Sequence, residues 1–513
     1  MIGPNLIKLE VRRQKAEATG RKPQAPGLVI ASRRMPVRYP RVASFKTAEA
    51  FASHLAAAGI QLPFDAALAP AGASPLARPL TVDGRPLANR FAILPMEGWD
   101  GTDDGAASDL TRRRWQRFGQ SGAALIWGGE AVAVRQDGRA NPHQLLLTPT
   151  NASSIGGLLT TLRDAHAERF GRASADALLV GLQLTHSGRF ARHRLDHAPD
   201  PLVAYAHPLL DARFAGGVRV LTDDDLDRLA DDFVAAARLA AGLGFQFLDL
   251  KHCHGYLGHE LLSARSRPGR YGGSLDNRLR FLRNIVEGVR ATCPGVGIGV
   301  RLSVFDTVPH RRGPDGAGVA EIEPGAGYPH AFGLLNDEDM EATLADAREV
   351  LSRLRAMDIR FVCVTAGSPY YCPHVQRPAL FPPSDGYDPP EDPLAGVARQ
   401  IDAAARLKTA FPDVTFVGTG YSYLQEWLPH VAERAVTDGR IDVVGLGRMV
   451  LSYPELPADV LAGRPLKRAA ICRTFSDCTT GPRNRLVSGC FPLDPFYTKH
   501  PQHEQLKAAK SRA

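Results

Sequence analysis

Asp223-Asp-Asp-Leu-Asp-Arg-Leu-Ala-Asp-Asp-Phe-Val-Ala-Ala-Ala-Arg-Leu-Ala-Ala-Gly242, running at once into Leu-Gly-Phe-Gln-Phe-Leu-Asp-Leu-Lys251, decides the fold of this chain. Leu226, Leu229, Phe233, Ala237 and Ala240 recur at steps of three and four, which makes one apolar face of a helix. Thr222 and Asp225 have the spacing of a capping box, and Gly242 and Gly244 end the helix. The next run, 245–251, is apolar with little alternation, the pattern of a strand covered on both faces. The same unit recurs along the chain. Buried strands are predicted at 91–96, 123–132, 177–185, 245–251, 296–304, 359–365, 414–418 and 441–446. Helices are predicted between them at 108–120, 151–170, 223–242, 275–291, 336–357, 394–410 and 422–437. Eight strands alternating with helices imply an α/β chain closed into a (β/α)8 TIM barrel, with its site at the C-terminal ends of the strands.

The barrel reading changes what the length means. At roughly 150 residues per domain, 513 residues would suggest three or four domains. Instead 86–465 form one barrel, 1–85 an N-terminal extension with a helix at 46–60, and 466–513 a cysteine-bearing C-terminal tail. Hydrophobic residues make up 44% and charged residues 23%, which excludes a disordered or fibrous chain. Apolar runs fall short of the roughly 18 residues of a membrane span, and the first residues lack a signal-peptide core. The seven cysteines are too scattered for a disulfide framework, so a cytoplasmic protein is expected. The charge, 62 basic against 54 acidic side chains, is mildly positive. Arg112-Arg113-Arg114 reads as a solvated helix face, and nucleic-acid binding is not expected. A small anionic ligand suits the charge better. Two long βα loops, 306–335 and 367–393, are candidates for lids.

The chemistry gathers at the strand ends. Strands seven and eight close on Gly418-Thr-Gly420 and Gly445-Leu-Gly-Arg448, where glycines let backbone N–H groups approach a phosphate. Arg301, inside an apolar fifth strand, needs an anionic partner. Gln183 can donate to and accept from a flat heterocycle. Both also have a plainer reading as satisfied core polar groups. The fourth strand ends in Asp249-Leu-Lys-His-Cys-His-Gly-Tyr256, the densest polar cluster in the chain.

Together these segments resemble the Old Yellow Enzyme family of FMN-dependent oxidoreductases, including its dienoyl-CoA reductase-like branch. Phe91-Ala-Ile-Leu-Pro-Met96, Gln183-Leu-Thr-His-Ser-Gly-Arg189, Lys251-His-Cys-His-Gly-Tyr-Leu257, Arg270-Tyr-Gly-Gly-Ser-Leu-Asp-Asn-Arg278, Val300-Arg-Leu-Ser303 and Gly445-Leu-Gly-Arg448 occur in family order. The resemblance implies FMN at the barrel mouth and NAD(P)H as co-substrate. Pro95, Met96, Gly129 and Ala131 would border the ring, and Gln183 would meet its pyrimidine edge. Arg301 would lie near N1, and Gly420, Gly447 and Arg448 would hold the phosphate. Tyr256 would donate a proton, and Lys251 and His254 would bind the substrate. The expected reaction moves hydride from NAD(P)H to an activated alkene.

The departures from the pattern are informative. Lys251 stands where histidine is usual and favours an anionic small-molecule substrate. Glu97 stands where threonine or cysteine is usual. Ionised, it opposes electron gain by a flavin, so it is paired with Lys251, protonated, or an acid/base. Cys472, Cys478 and Cys490 resemble a four-cysteine iron–sulfur segment with Phe475 in place of one ligand, so no cluster is expected. The second nucleotide-binding domain of that branch is expected to be absent. Rival readings are a dehydrogenase or demethylase of the trimethylamine dehydrogenase type and a flavin-binding barrel without catalysis. A metal site is a third rival, but His259-Glu-Leu-Leu-Ser263 lacks the second histidine. No membrane partner is expected, and homo-oligomerisation is left open.

Overall fold

The computed structural model describes residues 39–323 and 327–511. The chain divides into Met1–Pro40 and Arg41–Ala513, and the barrel belongs to the second unit. Its strands are Phe91–Ile93, a second strand in two pieces (Leu125–Ile126 and Ala131–Ala133), Leu179–Thr185, Phe247–His252, Gly297–Ser303, Phe361–Thr365, Thr415–Gly418 and Val443–Leu446. Each pairs in parallel with its neighbours in chain order. The eighth strand pairs with the first, and both pieces of the second pair with the third, so the sheet closes.

All eight predicted strands are present, with shifted ends. The second is interrupted because Trp127 turns into the barrel's interior, fully buried against Phe247 and Phe361, while Glu130 turns outward to an arginine. The helix Asp223–Gly242 carries the capping box. The stretch 275–291 is two helices, Leu275–Arg278 and Arg280–Thr292, and 336–357 is likewise divided into Met340–Thr343 and Ala345–Ala356. The 306–335 loop contains a hairpin, His310–Arg312 with Gly318–Ala320. The 367–393 loop contains one helical turn, Pro373–Gln376.

The boundary at residue 85 needs correction, although residues 1–38 lie outside the described residues. The hairpin Leu80–Val82/Arg85–Leu87 puts Val82 and Leu87 into one cluster with Trp127, Leu179, Phe247, Phe361 and Val443. Most of these are first residues of barrel strands, so the hairpin floors the barrel. The helix Ala48–Ala57 stacks Phe51 on Trp427 at 4.6 Å between ring centroids. Burying such apolar surface stabilises the barrel by about 25 cal/mol per Å², so 41–85 belongs to the barrel.

The arginine run is also not a solvated face. On the helix Asp109–Gly119, Arg113 pairs with Asp494 of the tail at 2.9 Å and covers the Phe496 ring, and Arg114 is buried. The tail returns to this helix, packing Leu486, Phe491, Tyr497 and Leu506 together with Leu110.

Candidate active site

Strand register builds the floor of an open cavity at the C-terminal ends of the strands. Gln183 lies opposite Asp249, and Lys251 opposite Arg301, all on inward positions. Asp249 is fully buried and joins the floor together. It accepts from Gln183 Nε2 at 2.5 Å and from the Arg301 backbone N–H at 2.8 Å. A carboxylate only accepts, so the Gln183 amide nitrogen is directed to Asp249. Burial raises the Asp249 pKa to about 6, against the pull of Gln183, Trp127 and Arg301. Arg301 reaches the Pro95 carbonyl at 3.5 Å, and its buried Nε has no partner.

Another wall is built from Glu97, Lys251, His254 and Tyr370, with Tyr256 buried behind it. Tyr256 donates to Glu97 Oε1 at 2.6 Å, and its hydroxyl lies 2.8 Å from that of Tyr370. Lys251 Nζ lies 3.5 Å from Glu97 Oε2 and 3.7 Å from the centroid of the Tyr256 ring. Burial, reinforced by the Glu97 carboxylate, holds the Tyr256 pKa well above its usual value, so the phenol keeps its proton. Phe190 stacks on Tyr370 at 4.0 Å. His254 has φ 67°, and its backbone is held by Ser303 and Ser368. Burial, followed by Arg301 and Lys251, pushes its pKa well below the usual value. The ring is therefore neutral, with Gln376 Nε2 at 3.1 Å from its Nε2.

The third part lies beyond the seventh and eighth strands. Gly420 has φ 95°, a left-handed conformation that favours glycine, and a Cβ on Gly447 would meet nothing within 4 Å, leaving space beside that backbone. Arg448 donates to the Pro378 carbonyl at 3.0 Å, and its buried Nη1 is unpartnered. Unpaired buried N–H groups each cost about 1–3 kcal/mol, and an anionic, hydrogen-bonding ligand would satisfy those of both Arg301 and Arg448. The donor set thus fits a flavin with a phosphate arm: an amide and an arginine at the ring end, glycines and arginine at the phosphate end.

The NADH:flavin oxidoreductase / NADH oxidase family matches residues 75–320. An NADPH dehydrogenase of Geobacillus thermodenitrificans is 26% identical over 390 residues, 74% of this chain and 91% of that relative. Over that stretch the chain is similar to the Old Yellow Enzyme family. An NADH:flavin oxidoreductase of Gibberella zeae is 28% identical over 251 residues, 46% of this chain and 58% of that relative. A 2-naphthoyl-CoA reductase, solved with 2-naphthoyl-CoA, shares the fold with a TM-score of 0.59 at 19% identity, over 84% of this chain and 57% of that one. The chain thus spans less than two thirds of the length of these last two.

Of the residues expected from the Old Yellow Enzyme pattern, Pro95, Met96, Glu97, Ala131, Gln183, Lys251, His254, Arg301, Gly420, Gly447 and Arg448 line the cavity. Tyr256 sits behind this lining, buried, and reaches it through Glu97 and Tyr370. Gly129 does not line it. Its φ is 51°, a Cβ there would strike the Trp115 ring at 2.6 Å, and its carbonyl accepts from the Met96 N–H at 3.4 Å. It therefore shapes the wall that carries Met96.

Sequence reasoning missed Asp249, Tyr370, Arg377 and Arg114, since none stands within a motif that names its role. Asp249 alone carried a local signal, a carboxylate at an inward position of a buried strand. Of the alternatives left open for Glu97, the one the geometry matches is a pairing with Lys251, at 3.5 Å. Cys472, Cys478 and Cys490 line one small cavity with Phe475 and Arg448, and all three thiols are free. His259 and Glu260, the partial metal motif, are engaged elsewhere. His259 Nδ1 accepts from the Gly255 N–H at 2.9 Å, and Glu260 pairs with Arg189. No described helix is long and apolar enough to cross a membrane.

Proposed function

We propose that the protein is an FMN-dependent NAD(P)H oxidoreductase that reduces an activated, enone- or enoyl-type alkene. The observation that carries this is that arginines with buried unpartnered N–H groups line one cavity, and that a tyrosine held protonated beside a lysine lies directly behind its wall. When bound, FMN would supply hydride transfer between the nicotinamide and the substrate carbon. Gln183 and Arg301 would hold its ring, and Gly420, Gly447 and Arg448 its phosphate. Lys251 and the neutral ring of His254 would bind the activating oxygen and withdraw charge from the alkene. Tyr256 would protonate the α-carbon, with the nearby Lys251 ammonium stabilising the phenolate left behind. Tyr370, hydrogen-bonded to Tyr256, is placed to return a proton to it. Lys251 and Arg483, which are not assigned to the flavin, line the cavity against the single carboxylate Glu97 among the described lining residues, which favours an anionic substrate. The reading carries a cytoplasmic location, where NAD(P)H is supplied.

Purified protein is expected to take up FMN, to lose its yellow absorbance under NADPH and to regain it with an enone. A protein that takes up no FMN would overturn the reading. Tyr256→Phe is expected to slow re-oxidation by the enone by roughly 10²–10⁴-fold and to leave reduction by NADPH unchanged. Equal effects on both half-reactions would remove Tyr256 as the proton donor.

One observation favours a second reading. The Tyr256 proton is directed to the Glu97 carboxylate, as suits a site that takes a proton from substrate during dehydrogenation. Glu97→Gln separates the two. Alkene reduction should persist or rise, because the phenol is released, whereas a dehydrogenase would lose activity with its proton acceptor.

A further inference from the structure

Arg377 has no counterpart in the site described so far. It follows the single turn Pro373–Gln376 in the loop after the sixth strand. Its Nη1 donates to Thr479 Oγ1, and its Nη2 is buried without a partner. Its nearest charges are largely of its own sign. Burial first, and then Arg448 and Arg483, lower its pKa to about 9. A guanidinium placed this way, beside like charges and with an unused N–H inside a cavity, requires an anion.

The backbone around it points to which anion. The Val375 carbonyl accepts from Gln400 Nε2 at 2.7 Å, and the Gln400 Oε1 accepts from Thr419 Oγ1 at 3.1 Å, next to Gly420. The Pro378 carbonyl accepts from Arg448, next to Gly447. Arg377 is thus held between two tethers, one running to each of the strand-end glycines. Neither tether leads to Lys251 or Tyr256.

We propose that Arg377 is a ligand for the phosphate of the bound flavin nucleotide, acting with Arg448, and that through Thr479 it makes the tail helix Asp477–Arg483 part of that site. The proposal rests on the FMN reading and extends it. It also gives the tail a purpose that its degenerate cysteine motif does not. Asp477–Arg483 closes over the phosphate, and Thr479 orients the guanidinium that binds it.

The test uses the full-length chain, stripped of flavin and titrated with FMN, with riboflavin and with inorganic phosphate, following flavin fluorescence. Arg377→Gln is expected to weaken FMN binding by roughly 10- to 100-fold, the size of one charge-assisted hydrogen-bond pair, and to leave riboflavin binding unchanged. Arg377→Lys should recover part of the loss, since it keeps a point charge without the planar fork. Inorganic phosphate should compete with FMN for the wild type and much less for Arg377→Gln. In hydrogen exchange, FMN but not riboflavin should protect the amides of Asp477–Arg483. Equal losses for FMN and riboflavin would make Arg377 merely structural and overturn the proposal. So would an intact preference for FMN over riboflavin in Arg377→Gln, which would place the anion of Arg377 elsewhere than on the flavin. If the wild type binds neither flavin, the family-based reading of function fails instead.

Discussion

Lowering the pH from 6.5 towards 4.5 is expected to destabilise the protein by roughly 3 kcal/mol per pH unit, well before its surface carboxylates titrate. Burial holds His252 at about 4 and His207, His259 and His374 at about 3, and puts His254 well below its usual value. Each is neutral in the folded state and takes up a proton near 6.5 once unfolded. Their contribution is fully present above pH 6.5 and is lost as the pH falls towards the folded values. The buried carboxyls act in the opposite sense. Burial raises Glu130 to about 7 and Asp249 and Asp306 to about 6, so in this range the folded state holds protons that the unfolded chain releases. Among the most strongly shifted groups, five histidines stand against three carboxyls, about two extra protons on the unfolded chain, and that difference sets the slope. Urea unfolding midpoints measured between pH 7 and 4.5 check this. A stability that is flat or rises on acidification would show that the carboxyls dominate.

Arg114→Leu should cost about 3–5 kcal/mol of stability and deform the cavity wall, though Arg114 lies on a helix outside the barrel sheet. Arg114 forms a two-point pair with Asp100, at 2.5 and 2.9 Å, and reaches Glu130 Oε2 at 3.0 Å, all three side chains being nearly inaccessible to solvent. Glu130 in turn accepts the Gly98 N–H at 2.6 Å, next to Glu97. Removing the cation leaves two buried carboxylates unpaired, a much larger loss than the net worth of the intact cluster. Combining Arg114→Leu with Asp100→Asn and Glu130→Gln should recover much of the stability, because no charge then remains buried. Urea unfolding measures both variants. An Arg114→Leu protein as stable as the wild type would contradict the role given to this cluster.

The fold was legible because its signal is local. A strand such as 177–185 declares itself by consecutive apolar residues, and a helix such as Asp223–Gly242 by spacing and caps, whatever the rest of the chain does. Motif residues at strand ends, such as Gln183, Arg301 and Gly447, were legible too, because a barrel delivers every strand's C-terminal end to the same face. Where periodicity misled, packing was the cause. Arg114 lies on a polar stretch of helix that reads as solvated, yet two carboxylates from other segments bury it. Gly129 stands beside the cavity in sequence order, but its positive φ turns it onto Trp115.

The sequence by itself determined the eight alternating units and the likeness to flavin-binding barrels, since these depend only on residue type and spacing. The tertiary structure alone decided that the hairpin Leu80–Val82/Arg85–Leu87 floors the barrel, that Asp249 joins Gln183 to Arg301, and that Tyr256 donates its hydrogen bond to a carboxylate 159 residues away. It also set Arg377 between two tethers and Thr479 upon it. The physical reason is range. Spacing along the chain encodes which face a side chain shares, but hydrogen bonds and charges act over a few ångströms of space, and only closure of the barrel brings such distant residues within that reach.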